Sequence, residues 1–92
     1  MIALIATLPV QEGKEEEFEQ IMGEVVAAVR ATEPGNRLYT LTRDEEGEYH
    51  VLEIYDDEAA LAAHREHLQA AGSKLGDVLG GRPTLKRLTV VA

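Results

Sequence analysis

His64 and His67 lie three residues apart in the run LAAHREHLQA, where Leu61, His64, Leu68 and Ala71 recur at helical spacing. An imidazole ordinarily titrates near pH 6.5, so one set on the apolar side of a helix is a candidate proton acceptor in water-poor surroundings. Glu53 stands eleven residues upstream of His64, in VLEIY. It has the opposite parity to Leu52 and Ile54, so on a strand it shares a face with Val51 and Tyr55. A carboxylate that points inward needs a partner. Tyr39 and Tyr55 add two phenols on neighbouring extended segments, each an apolar body with a polar tip.

Plainer roles are open for all of them. A histidine between Leu61 and Leu68 also fits a partly buried residue with one satisfied hydrogen bond. Glu53 also fits a cross-strand partner of Arg37, Arg43 or Lys86, and the tyrosines fit ordinary strand positions. His64 and His67 with Glu66 or His50 do not by themselves make a metal site, because a helical pair needs a third ligand from elsewhere. No metal or cofactor is expected from the residues alone. Gly80-Gly81 runs into Arg82 and Pro83, which reads as a turn and not a phosphate cradle, and no G-x-S-x-G nucleophile motif occurs.

The elements that must hold these residues follow from periodicity. Ile2 to Leu8 is aliphatic and closed by Pro9, a strand followed by a loop. From Lys14 to Thr32, Phe18, Ile21, Met22, Val25, Val26 and Val29 form one helical stripe, with Glu15, Glu16 and Glu17 at the positive end of the macrodipole. Gly23 within it reads as a tolerated glycine. Pro34 disfavours helical geometry at Glu33, and Gly35 is expected to turn the chain in the left-handed region. Asn36 to Arg43 and Glu48 to Tyr55 read as a hairpin around Asp44-Glu45-Glu46-Gly47, with Gly47 at positive φ. Asp56-Asp57-Glu58 starts a second helix that Gly72 ends; Ser73 to Leu79 can add a further turn or two, and Thr84 to Val91 is the last strand.

The order β-α-β-β-α-β predicts an α+β, ferredoxin-like fold: a four-stranded antiparallel sheet with both helices on one face, and residues 1–92 as a single domain. Tyr39, Leu41, Val51, Tyr55 and alternate residues of the last strand are expected not to fit together under the helices. Apolar surface would then stay open for a second copy to cover, giving a homodimer.

Composition narrows the partners. The 92 residues hold 45% hydrophobic residues but one Phe and no Trp, so the core is thin and a partner subunit would help it. Seventeen acidic against nine basic residues give a net charge of −8, which repels nucleic-acid phosphates and anionic membranes. The absence of cysteine excludes disulfides and a thiolate nucleophile. MIALIATLPV is too short for a signal peptide and no apolar run approaches the ~20 residues of a membrane span, so the expected location is the cytoplasm.

The segments LPVQEGKEEEF, EPGNRLY with Tyr39, the Arg43-Asp44 hairpin turn and above all VLEIYDDEAALAAH resemble the antibiotic biosynthesis monooxygenase family. In the last of these, Glu53, Tyr55, Ala60 and His64 fall at the family's spacing. The resemblance implies dimeric α+β barrels and oxygen-dependent oxidation of small aromatic compounds, quinols or anthrones, commonly without metal, flavin or haem. Carried onto this chain, it implies a cofactor-independent monooxygenase with His64 as base and Glu53 assisting. Tyr39, Tyr55 and His67 would then be substrate contacts. The Asn, Trp and His set of the haem-degrading relatives has no match, since Ala6 and Thr7 stand where the Asn would be. HREH also brings the second histidine closer than in the family. A non-catalytic ligand-binding barrel, or an isomerase or lyase using the same base, remain alternatives on this scaffold.

Overall fold

The computed structural model describes residues 1–71 and 73–92. Strand β1 (Ile2–Leu8) leads into helix α1 (Glu15–Thr32). The hairpin β2 (Asn36–Arg43) and β3 (Tyr49–Tyr55) follows, then helix α2 (Glu58–Ala71), the short helix α3 (Ser73–Gly76) and strand β4 (Thr84–Thr89). The strands pair antiparallel in the order β2-β3-β1-β4, which is the ferredoxin-like arrangement expected from the element order. Strand β4 is two residues shorter than its apolar pattern suggests. Gly72, expected to end the second helix, lies outside the described residues.

Two turns explain their own sequence. At Gly47 φ is +88°, and the Asp44 carboxylate accepts the backbone N–H groups of Glu46 and Glu48, closing the hairpin. A hydrogen bond from His50 is the main reason that the Asp44 carboxyl sits below the usual carboxylate range. Asp57 caps α2 by accepting the N–H of Ala60 at 2.9 Å. Gly23 faces open space, as a tolerated glycine should.

The register sorts the strands into two faces. Under the helices, cross-strand rows run Tyr39–Glu53–Leu4–Arg87 and Leu41–Val51–Ala6–Leu85. Phe18, Met22 and Val29 of α1 pack on this face with Ala6, Leu8, Tyr39, Tyr49, Val51 and Val78, while Leu61 of α2 packs with Leu4 and Tyr55. Tyr39, Leu41, Val51 and Tyr55 therefore share the helix side, contrary to the expectation that they divide between faces. The open apolar surface is built from other residues. Its central row is Leu38–Ile54–Ala3–Leu88, flanked by Leu52 and Ile5, with Leu38 and Leu88 exposed.

Gly35 corrects a second expectation: φ is positive at Gly13 and Gly47 but not at Gly35. The reason for glycine there is close approach. A Cβ built on Gly35 would lie 2.5 Å from the Cβ of Ala60, so the start of β2 and the start of α2 meet almost backbone to side chain. The Gly35 carbonyl accepts the N–H of Asp56 at 2.9 Å, and Arg37, the extra residue of a β-bulge, reaches Asp56 at 2.6 Å.

Candidate active site

That junction places the site. Glu33 caps the C-terminus of α1 in an extended conformation, φ −112° and ψ 93°, as a residue before proline should be. With β2 held against α2 at Gly35, the Glu33 side chain turns towards α2 and meets both histidines. Nδ1 of His64 lies 2.9 and 3.0 Å from the two Glu33 oxygens, and Nδ1 of His67 lies 2.6 Å from Oε2. One carboxylate thus takes two imidazoles from successive turns of one helix.

The other edge of His64 faces the sheet. Its Nε2 is 3.7 Å from Oε1 of Glu53, and that same oxygen accepts the hydroxyl of Tyr55 at 2.7 Å. The imidazole packs between two phenol rings, with centroids 5.0 Å away at Tyr39 and 5.2 Å away at Tyr55. His64 and Glu53 are 3% and 5% exposed, so neither exchanges freely with bulk water. Burial is the main cause that pushes the Glu53 carboxyl above its ordinary value; the Tyr55 hydrogen bond and the nearby His64 pull the other way. Burial first, and the neighbouring carboxylates second, push the Tyr39 and Tyr55 phenols well above theirs, so both remain O–H donors at any ordinary pH.

His64, Glu53 and Tyr39 line one cavity of about 250 Å³. Its floor is Leu4, Ala6 and Val51, and Leu61, Leu68 and Met22 close it from the helix side. The small side chain of Ala6, between Val51 and Leu85 in its row, leaves room there. Arg65, Pro83 and Leu85 complete the wall towards β4. The lining is apolar except for His64, Glu53, Tyr39 and Arg65, the pattern of a small-molecule site.

The sequence-derived candidates divide accordingly. His64, Glu53 and Tyr39 come together on the cavity. Tyr55 is fully buried behind Glu53 and is not part of the wall. His67 lines a separate groove of about 360 Å³ between α1 and α2, with Val25, Ala28 and Leu68. Glu53 does not pair with Arg37, Arg43 or Lys86, since Arg37 is taken by Asp56 and Arg43 by Glu19. In sequence Glu33 marks only the end of a helix. The signal that could have found it is its place before Pro34: an extended residue at a helix end projects its side chain away from the helix, here onto α2. Among the described residues, one group has metal-ligand geometry, Asp44, Glu48 and His50 at the exposed hairpin, remote from this cavity.

The sequence profile described as "antibiotic biosynthesis monooxygenase" matches residues 1–71. No protein of the curated set matches the chain. Among solved structures, a Caulobacter crescentus protein named for the same family is 40% identical over 99% of this chain and 90% of its own, with a TM-score of 0.91. A Nitrosomonas europaea protein named likewise shares the fold at 20% identity, covering 100% of each chain with a TM-score of 0.88. A Pseudomonas aeruginosa protein is 27% identical over 99% of this chain and 94% of its own, at a TM-score of 0.85. With the fold, the match over residues 1–71 and the 40% identical relative in agreement, the chain belongs to the antibiotic biosynthesis monooxygenase family and has its monooxygenase-type scaffold.

Proposed function

We propose that the protein is a homodimeric, cofactor-independent monooxygenase that oxidises a small aromatic substrate, quinol- or anthrone-like, with O2. The observation that carries this reading is the buried imidazole of His64 on an apolar cavity of about 250 Å³ that it shares with Glu53 and Tyr39. Without a cofactor the first electron to O2 must come from the substrate, and an anion gives it far more readily than a neutral phenol. His64 takes the substrate proton on Nε2. The imidazolium so formed lies between Glu33 and Glu53, so its charge is compensated inside the fold. The Tyr39 phenol donates to the substrate oxygen. Tyr55 acts at one remove by holding Glu53, and His67 by holding Glu33.

In an anthrone-like substrate the ring-flanked CH2 becomes a carbonyl. One atom of O2 stays in the product, the other leaves as water with the two hydrogens, and the substrate supplies the four electrons. The second copy covers the open sheet face along Leu38, Ile54, Ala3 and Leu88, a row of apolar side chains on the side of the sheet away from the helices.

The test is enzyme-dependent oxygen uptake with a panel of naphthoquinols and anthrones, with the wild type against His64→Ala. The expected loss in the variant is about 10²–10⁴-fold, the usual worth of a general base. No uptake above background in the wild type, or equal uptake by both proteins, overturns the reading. Turnover that persists without oxygen assigns the same base to an isomerase.

A further inference from the structure

We infer that Glu33 is a positioning residue that selects the tautomer of His64, and that His67 is its second anchor and not a substrate contact. This rests on the reading of His64 as the base, although its primary test does not. A carboxylate only accepts hydrogen bonds. Both histidines approach Glu33 through Nδ1, at 2.9 Å for His64 and 2.6 Å for His67, so in each neutral ring the hydrogen sits on Nδ1. For His64 the consequence is that Nε2, the atom on the Glu53 side, carries the lone pair. With the hydrogen on Nε2 the ring could not take a proton from a substrate in the cavity at all.

His67 secures the arrangement. Glu33 is a helix-end side chain with three rotatable bonds, and a single histidine would leave it free to swing. The donor on Oε2, one turn further along α2, fixes the carboxylate plane, and the two oxygens then span His64. His67 is one-third exposed and borders the outer groove, so its ring is outside the cavity while its Nδ1 is inside the network. When His64 accepts the substrate proton, the O–H bond of a quinol or a C–H bond of an anthrone CH2 breaks, its electron pair stays on the substrate, the new N–H bond forms at Nε2, and Glu33 carries the opposing charge at Nδ1. The same logic makes an aspartate-to-asparagine change in a serine-protease triad costly through the wrong tautomer.

The experiment is ¹⁵N NMR of the histidine side chains in the uniformly labelled protein, in the pH range where the rings are neutral, with His50→Asn to assign the third ring. Bare and hydrogen-bearing ring nitrogens resonate in separate ranges. Wild type is expected to show the Nδ1–H form at both His64 and His67. In Glu33→Leu no acceptor is left for either Nδ1–H, so neither ring is held in that form. An Nε2–H form at either ring in the wild type, or both rings unchanged in Glu33→Leu, overturns the inference, and the wild-type spectrum decides even if the variant fails to fold. In the oxygen-uptake assay Glu33→Leu should lose about 10²–10⁴-fold, as His64→Ala does. Should the wild type consume no oxygen while its spectrum shows both Nδ1–H forms, the proposed oxygenase function fails and the positioning role of Glu33 stands.

Discussion

Replacing Gly35 by alanine adds one methyl group at the point where β2 meets α2. Its carbon would lie 2.5 Å from the Cβ and 3.5 Å from the Cα of Ala60. Carbon atoms in contact prefer about 3.5–4.0 Å, so the junction must open by roughly 1 Å. Overpacking of this kind costs about 1–3 kcal/mol. Against it, alanine reduces the freedom of the unfolded chain, worth about 0.4–1 kcal/mol. The clash wins, and a net loss of roughly 1–2 kcal/mol corresponds to a fall in Tm of about 5–15 °C for a domain of this size. Ala60→Gly alone should lose about 1 kcal/mol from helix propensity. If the two residues acted independently, the double variant would lose roughly 2–3 kcal/mol; because they touch, removing the Ala60 methyl relieves the clash and the loss should stay below about 1 kcal/mol. Urea unfolding of the four proteins, followed by circular dichroism, gives the cycle. Additive losses, or a Gly35→Ala protein as stable as wild type, would refute the close-approach account of this glycine and with it the account of how Glu33 is aimed at His64.

Glu53 is held above its ordinary value of 4.5 by burial, so the folded state keeps the proton that the unfolded chain releases, and this group makes stability fall as pH rises from about that value towards the folded one. Glu53→Gln should remove that part of the decline, seen as a shallower fall of Tm as pH rises from 4.5 than in wild type; an unchanged slope would show that burial does not hold the proton on Glu53. Ala6→Leu should fill part of the cavity at less than the usual cost of overpacking, about 1 kcal/mol or below, while abolishing oxygen uptake; a large loss of Tm would mean that the space above Ala6 is not there. Ile54→Asp on the open sheet face should convert a dimer of twice 10.1 kDa to a single 10.1 kDa chain in sedimentation equilibrium, with the cavity untouched. Wild type sedimenting at 10.1 kDa would remove the need for a twin.

Periodicity reached far into this fold because α1 and the hairpin are locally decided. The stripe from Phe18 to Val29 has one interpretation, and Asp44 with Gly47 makes one kind of turn. The same alternation put Glu53 on the buried face, where it is. Two things were not legible. The face shared by Tyr39, Leu41, Val51 and Tyr55 depends on the register between β2 and β3, and that register shifts at the bulge between Asn36 and Leu38, which no short-range pattern announces. Glu33 was hidden for a similar reason. Its partners lie 31 and 34 residues away, and they are brought to it by the contact between Gly35 and Ala60. A glycine whose role is lack of volume looks, in sequence, like a glycine whose role is a turn.

If His64 is the base, as proposed, the arrangement also favours ionisation of the substrate over the other acids in the cavity. A phenolic substrate there would share the site with Tyr39 and the buried Tyr55, and all three are similar acids in water. Inside the fold they are not equivalent. Both tyrosines lose hydration and face the negative charges of Glu53 and Glu33, which disfavours a phenolate on either. A substrate oxygen placed at Nε2 of His64 would have the opposite situation, because its proton would move onto a ring flanked by Glu33 and Glu53 and become part of a compensated group. The anion left behind is stabilised by the new imidazolium and by the Tyr39 hydroxyl. A Tyr39→Phe protein therefore keeps the base and its charge compensation but loses one donor to the anion. Its oxygen uptake should fall about 10-fold or more, since hydrogen bonds to charged groups are worth about 1.5–3 kcal/mol, and a residual rate equal to wild type would show that the substrate anion does not face Tyr39.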